Sequence, residues 1–241
     1  KMDSQHISLL RIKPEFENYL NDLEAQLSHP RKNNFNLEDI FIYPSLKKLT
    51  KSIKSKDYDK DVYSSKEIVG SNIDGKVLVL GEERSGKTTL SKIIFKNAYF
   101  HKQLPIYIDC DKIKLNNIDE FNKKIKKEFL NQYNSSQYLF DEEDINNIVL
   151  IIDNYSRIGL NSAKKVELFA EINSFYKNIV VFVDEYFYLE ERLQGKESSA
   201  HFESFKVYQL MEFGHELRER LITKWNKLGC EEEIEECDLH Y

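Results

Sequence analysis

Gly81-Glu82-Glu83-Arg84-Ser85-Gly86-Lys87-Thr88 fits the pattern G-x-x-x-x-G-K-[ST] and sits between two kinds of periodicity. Before it runs Lys76-Val77-Leu78-Val79-Leu80, a buried-strand pattern. After it, Leu90, Ile94 and Ala98 recur four apart with Ile93 beside them, a helix pattern over Thr88 to Phe100. A strand, a glycine-bounded turn and a helix in that order point successive backbone N–H groups and the positive helix end at one spot, which is how a chain grips phosphate. Lys87 then reaches the β and γ phosphates as a point charge, the Thr88 hydroxyl supplies one oxygen to Mg2+, and Thr89 bonds the α-phosphate. Gly81, Glu83, Arg84, Ser85, Gly86, Lys87, Thr88 and Thr89 are the expected nucleotide contacts, Arg84 and Ser85 chiefly through their amides. Glu82 and Glu83 are unusual neighbours for an anion.

Outward from this loop the same alternation continues. Leu104 to Ile108, Ile148 to Ile152, Ile179 to Val183 and Phe205 to Leu210 read as further strands. Between them lie helical stripes over residues 117–133, with Phe121, Ile125 and Phe129, and over residues 163–176, with Val166, Phe169 and Ile172; Leu217, Leu221, Trp225 and Leu228 mark a last helix. Asn117 and Glu120 have capping-box spacing. Strands separated by helices imply a parallel sheet covered on both faces. The expected class is therefore α/β: a three-layer P-loop NTPase with a five-stranded, mostly parallel sheet. Ahead of it, Phe16, Tyr19, Leu20, Leu23 and Leu27 predict a helix over residues 14–28, opening at Pro14, and Lys47 to Lys60 reads as a solvated lysine-rich stretch. The expected organisation is a helical N-terminal segment and linker at 1–70, the P-loop core at 71–229, and an acidic tail at 230–241 belonging to a longer chain.

A P-loop needs a carboxylate at a strand end to hold magnesium, often through water. Asp153 closes Ile148 to Ile152, and Asp184 with Glu185 closes Ile179 to Val183. If the third strand in sequence carries the metal acid and the fourth a polar sensor of the γ-phosphate, Asp153 is the metal ligand with Thr88, and Asp184 takes the sensor position. Asp153 and Lys87 are then the residues expected to carry the chemistry. The Asp184-Glu185 pair keeps the reverse assignment open.

Composition narrows the field. Lys and Arg number 35 against 41 Asp and Glu, a net charge of −6, which argues against direct nucleic-acid binding through a globally basic surface. The longest apolar runs, Ile148 to Ile152 and Ile179 to Val183, fall far short of the ~20 residues that span a bilayer, so no membrane partner is expected. Cys110, Cys230 and Cys237 lack the spacing of a disulfide framework or a zinc site, which points to a reducing cytoplasm. No guanine-reading N-K-x-D pattern appears, tilting the ligand towards Mg-ATP.

The Walker A segment Gly81 to Thr88 and the Walker B-like Leu150-Ile151-Ile152-Asp153 are joined by Phe205 to Leu210 leading into Leu217 to Trp225, and by Leu37-Glu38-Asp39-Ile40-Phe41 ahead of the loop. Together they resemble a NACHT-like nucleotide-binding domain of the STAND class, over roughly Asn36 to Gly229. The resemblance implies a nucleotide-controlled switch flanked by effector and sensor domains, homo-oligomerising on ATP; many bacterial relatives serve antiphage defence. Asn154 stands where a second acid often lies and Ser156 is not acidic, so weak hydrolysis is expected. Two rivals stay open: a small-molecule or nucleoside kinase, with Asp109 or Asp111 as catalytic acid, and a nucleotide-binding scaffold without turnover. His215, Arg218 and Arg220 are phosphate-contact candidates by charge alone, and Trp225 is expected to pack in a core or partner groove.

Overall fold

The computed structural model describes residues 10–49, 61–113, 119–134, 148–193 and 202–230. Along the chain run β1 (Arg11–Ile12), α1 (Pro14–Asn21), α2 (Leu37–Ile40), β2 (Ser45–Lys48), β3 (Val62–Ser64), α3 (Ser65–Val69), β4 (Lys76–Leu80), α4 (Lys87–Phe100) and β5 (Leu104–Asp109). They are followed by α5 (Asp119–Gln132), β6 (Tyr133–Asn134), β7 (Ile148–Asp153), α6 (Ser162–Phe175), β8 (Asn178–Val183), α7 (Glu185–Leu193), β9 (Lys206–Leu210) and α8 (His215–Asn226).

Every residue of β7 and β8 is buried, which a strand achieves only when both sheet faces are covered. Helices supply the cover, giving three layers around one mostly parallel sheet. The strand order is β3-β2-β9-β4-β8-β7-β5. The five strands legible in the sequence form one contiguous parallel block, β9-β4-β8-β7-β5. Beside β9 two strands that the sequence did not announce, β2 and β3, extend it antiparallel. β2 is Ser45-Leu46-Lys47-Lys48, in which Leu46 alone is fully buried, opposite Leu210 of β9. A strand held by one apolar side chain leaves no periodic signal. Lys47 and Lys48 of the lysine-rich stretch therefore lie in a strand, and residues 50–60 fall outside those described, as does Asn117 of the expected capping box.

The chain passes from β4 through α4 to β5, three places away, and later returns to β9 on the other side of β4. This reversal opens a crevice at the C-terminal end of β4, where open α/β sheets take their ligands.

The first helix is shorter than its apolar spacing predicts. It opens with Pro14 at its N-terminus and stops at Asn21, not at residue 28. Two observations account for the stop. The Asp22 carbonyl accepts the ammonium of the buried Lys92, and Glu24 adopts a left-handed φ of 56° with its N–H bonded to the Asp22 carboxylate. Leu23 and Leu27 are thereby turned towards the P-loop instead of continuing a helical stripe.

Among the described strands β5 is one margin of the sheet and β3 the other. At the midpoint of β5 the Tyr107 N–H donates to the Gln132 side-chain oxygen at 3.0 Å, and the Tyr107 carbonyl accepts the Gln132 amide at 2.6 Å. The carboxamide thus pairs the edge backbone as a neighbouring strand would.

Candidate nucleotide and metal site

The loop after β4 is built to bend. Gly86 has φ +93°, Arg84 has φ 61°, and a Cβ on Gly81 would lie 2.6 Å from Ser85 Oγ. The chain is coiled so closely that a side chain at 81 would have to displace the Ser85 hydroxyl, and Gly86 opens α4 with a conformation that L side chains rarely adopt. Lys87, 7% exposed, lies over the turn. Its ammonium donates to the carbonyls of Gly81 (2.7 Å) and Glu82 (2.6 Å) and pairs with Asp184 at 3.1 Å.

The two strand-end carboxylates differ sharply. Asp153 is wholly buried, accepting the Asn154 N–H at 2.9 Å on one oxygen and the Tyr107 hydroxyl at 2.9 Å on the other. The Thr88 hydroxyl also donates to it. Burial pushes its pKa upwards, against the opposing pull of the Thr88 and Tyr107 hydrogen bonds. Asp184 is more open, and burial there is outweighed by the Ser156 hydroxyl, at 2.7 Å, and by Lys87, which together hold its carboxyl below the ordinary range. Tyr107 and Tyr19 have hydroxyls that burial pushes well up, so both are protonated donors at neutral pH.

The residues present fit a magnesium-bound triphosphate. Ser85 Oγ is buried without a hydrogen-bond partner inside the very turn that would surround phosphate, where a phosphate oxygen would satisfy it. Thr88 and Asp153 supply two hard oxygen donors, the kind of sparse protein set Mg2+ uses when phosphate and water complete its octahedron. Among the described residues no group of three or more His, Cys, Asp or Glu side chains could hold a metal alone. Arg84, Ser85, Gly86 and Thr89 also line a cavity of about 300 Å³ whose other walls include Leu27, Phe41, Phe213 and Leu221. A flat base suits those apolar walls. A larger groove, about 560 Å³, lies against α1 and the end of α4 around Ile12 and Phe100, away from the loop.

The remaining candidates scatter. Asp109 faces Asp153 across the β5–β7 register but is occupied by the Asn154 amide (3.0 Å) and by Lys112 (3.0 Å). Asp111 is exposed, 4.0 Å from Arg157. Glu185 accepts from Gln209 at 2.8 Å. His215 and Arg220 are exposed on α8, and Arg218 donates to the Phe213 carbonyl. Trp225 packs edge-on against His29 and Phe35, a structural role. Glu83 has its own cation, Arg157 at 3.3 Å, which offsets the negative charge the sequence placed beside the anion site. Tyr107, Ser156 and Arg157 are the neighbours that sequence reasoning missed, because each reaches the site through tertiary packing.

Residues 74–158 match a family model described as an AAA domain. Among solved structures the chain is similar to AMPPCP-bound DnaA from Aquifex aeolicus, at 17% identity over 67% of this chain and 48% of that one, with a TM-score of 0.42. It is similar to the ORC2 protein of Aeropyrum pernix in its ADPNP and ADP complexes, at 12% identity over 68% and 48%, with a TM-score of 0.45. Domain III of the Thermotoga maritima replication initiation protein DnaA shares 16% identity over 63% and 60%, with a TM-score of 0.38. The chain spans about half the length of the first two. A comparison with curated proteins gives no match. The Gly81–Thr88 loop, the strand order and the AAA-domain match define the class: a P-loop NTPase fold.

Proposed function

We propose that the chain binds Mg-ATP in the crevice at the end of β4 and acts as the nucleotide-controlled switch of a STAND-class, NACHT-like protein. The observation that carries this reading is the meeting of Thr88 with Asp153 beside a lysine-bearing loop whose Ser85 hydroxyl lacks a partner. In it, the amides of Glu83 to Gly86 and the Lys87 ammonium hold the phosphates, and Thr88 and Asp153 hold the metal. Asp184 senses the γ-phosphate through Lys87, and the apolar cavity takes the base. Magnesium, when bound, screens phosphate charge and fixes its geometry.

Among the described residues no carboxylate follows Asp153 in the strand-end turn; Asn154 and Ser156 stand there, bonded to Asp109 and Asp184. A water nucleophile without an orienting base loses roughly 10²- to 10⁴-fold in rate, so turnover is slow. Slow turnover suits a switch, in which nucleotide shifts the population of arrangements by its differential affinity for them. In this reading residues 71–229 are the core and 1–70 its N-terminal segment, which adds β2 and β3 to the core's sheet. Effector and sensor domains flank them in a longer cytoplasmic, homo-oligomeric protein, with antiviral defence as the setting. No described helix is long and apolar enough to cross a membrane.

Single-turnover assays with labelled Mg-ATP, alone and with nucleoside or small-alcohol acceptors, test the reading. Slow release of inorganic phosphate is expected. Transfer to an acceptor would overturn it in favour of a kinase, and retention of intact ATP in favour of a scaffold.

A further inference from the structure

A hydrogen-bonded line runs from the N-terminal helix to the metal carboxylate. Tyr19 of α1 donates its hydroxyl to that of Tyr107 at 3.0 Å, and Tyr107 donates to Asp153 Oδ2 at 2.9 Å. Tyr107 is 4% exposed and Asp153 not at all, so water does not compete for the bond between them, while the Tyr19–Tyr107 bond is part-buried. The same helix reaches Tyr107 a second way. The Lys13 N–H, just ahead of α1, donates at 2.8 Å to the backbone carbonyl of Gln132, whose side chain clamps the Tyr107 backbone.

The P-loop helix fastens the other end of α1. Lys92, one turn beyond Thr88 on α4 and 1% exposed, donates to the Asp22 carbonyl at 3.0 Å and pairs with Glu24 at 2.8 Å. Its ammonium also lies 4.4 Å from the centre of the Tyr19 ring. Phe16 stacks on Tyr19 and approaches Tyr107. An isolated eight-residue helix is unstable in water, so α1 keeps its shape only while seated here. Its seat is shared between the metal carboxylate and the helix that carries the phosphate loop.

We propose that Tyr107 is a positioning residue for Asp153, and that Tyr19 makes the seating of α1 a determinant of how strongly magnesium supports nucleotide binding. The proposal rests on the reading of Asp153 as the metal carboxylate. The Asn154 N–H holds one oxygen of Asp153 and the Tyr107 hydroxyl holds Oδ2 at 2.9 Å, where Ser91 Oγ stands farther off at 3.5 Å and Thr88 also donates to the carboxylate; losing the Tyr107 hydroxyl removes the shortest hold on Oδ2 and lets the oxygen offered to the metal shift. A partner segment that lifted α1 would loosen the metal site without touching the nucleotide.

The test titrates Mg2+ against binding of a non-hydrolysable ATP analogue to the full chain, with a metal-free series in EDTA, for wild type, Tyr107→Phe, Tyr19→Phe, the double variant and Asp153→Asn. Tyr107→Phe is expected to raise the half-saturating Mg2+ concentration about tenfold, and Tyr19→Phe about threefold, with metal-free affinity unchanged in both. The double variant should equal Tyr107→Phe, because Tyr19 acts through it. Unchanged Mg2+ dependence in Tyr107→Phe, additive losses, or equal losses with and without metal would overturn the proposal while Asp153→Asn abolishes the Mg2+ effect. If Asp153→Asn itself leaves that effect intact, the metal assignment fails and takes the proposal with it.

Discussion

Asp153 and Asp184 end neighbouring parallel strands a few ångströms from the same loop, yet the fold treats them as opposites. Asp153 is fully enclosed and surrounded by neutral hydroxyl and amide donors, with its charge disfavoured by burial. Asp184 stands partly in solvent, salt-bridged to Lys87, with its charge favoured. A buried carboxylate without a cation is a standing cost, and under the proposed reading that cost is recovered when a divalent ion binds. A carboxylate already paired with lysine gains less from a metal and is better placed to respond when phosphate draws the lysine away. The difference teaches that two acids of the same type at neighbouring strand ends can meet opposite electrostatic surroundings, and this contrast is what supports the proposal of Asp153 for magnesium.

The most damaging way to break the comparison is Lys87→Ala, which removes the cation of Asp184 and the phosphate donor together. Nucleotide affinity measured by calorimetry should fall on the order of a hundredfold or more; unchanged binding would relocate the site altogether. Next comes Asp153→Ala set against Asp184→Ala. Affinity in excess Mg2+ should fall about tenfold at 153 and clearly less at 184, while the two match wild type more closely in EDTA. A larger loss at 184 reverses the assignment.

The mildest effect separates the two by pH. For Asp153 the native pKa lies above the ordinary 3.8. The folded chain therefore holds that proton more tightly than the unfolded one, and the penalty is complete above the native pKa and gone below 3.8. Asp153→Asn should raise the Tm by about 3 °C in metal-free neutral buffer, a gain that vanishes on acidification. Asp184 runs the other way: its contribution is present above the ordinary 3.8 and is lost as pH falls through its depressed native pKa. Asp184→Asn should lower the Tm at neutral pH, by less because solvent screens the pair, with the difference disappearing in acid. Thermal melts from pH 3 to pH 7.5 read both signs; a shared sign would erase the contrast.

The phosphate loop and the five parallel strands were legible because each rests on a local signal. Gly81 and Gly86 fix a turn, and Ile148 to Ile152 and Ile179 to Val183 are apolar throughout, as strands covered on two faces must be. β2 and β3 were silent because β2 buries a single leucine and β3 buries none of its three residues, too little to carry a period. The helix from Pro14 was overextended because Leu23 and Leu27 continue its spacing, and the interruption comes from Lys92, some seventy residues away in sequence. Distance in sequence also hid Tyr107, which reads as one more apolar residue of a strand until its hydroxyl is seen beside Asp153. What a side chain packs as can be inferred locally; what its polar tip touches is a property of the assembled fold.

The carboxamide of Gln132 carries one more consequence. Open sheets recruit partners by zipping on another strand, and the outer margin at Tyr107 is closed to that route, its donor and acceptor both taken by a single side chain. Any partner docking at Tyr107 would have to meet side chains and helix surfaces there, and could dock without disturbing the sheet's backbone pairing.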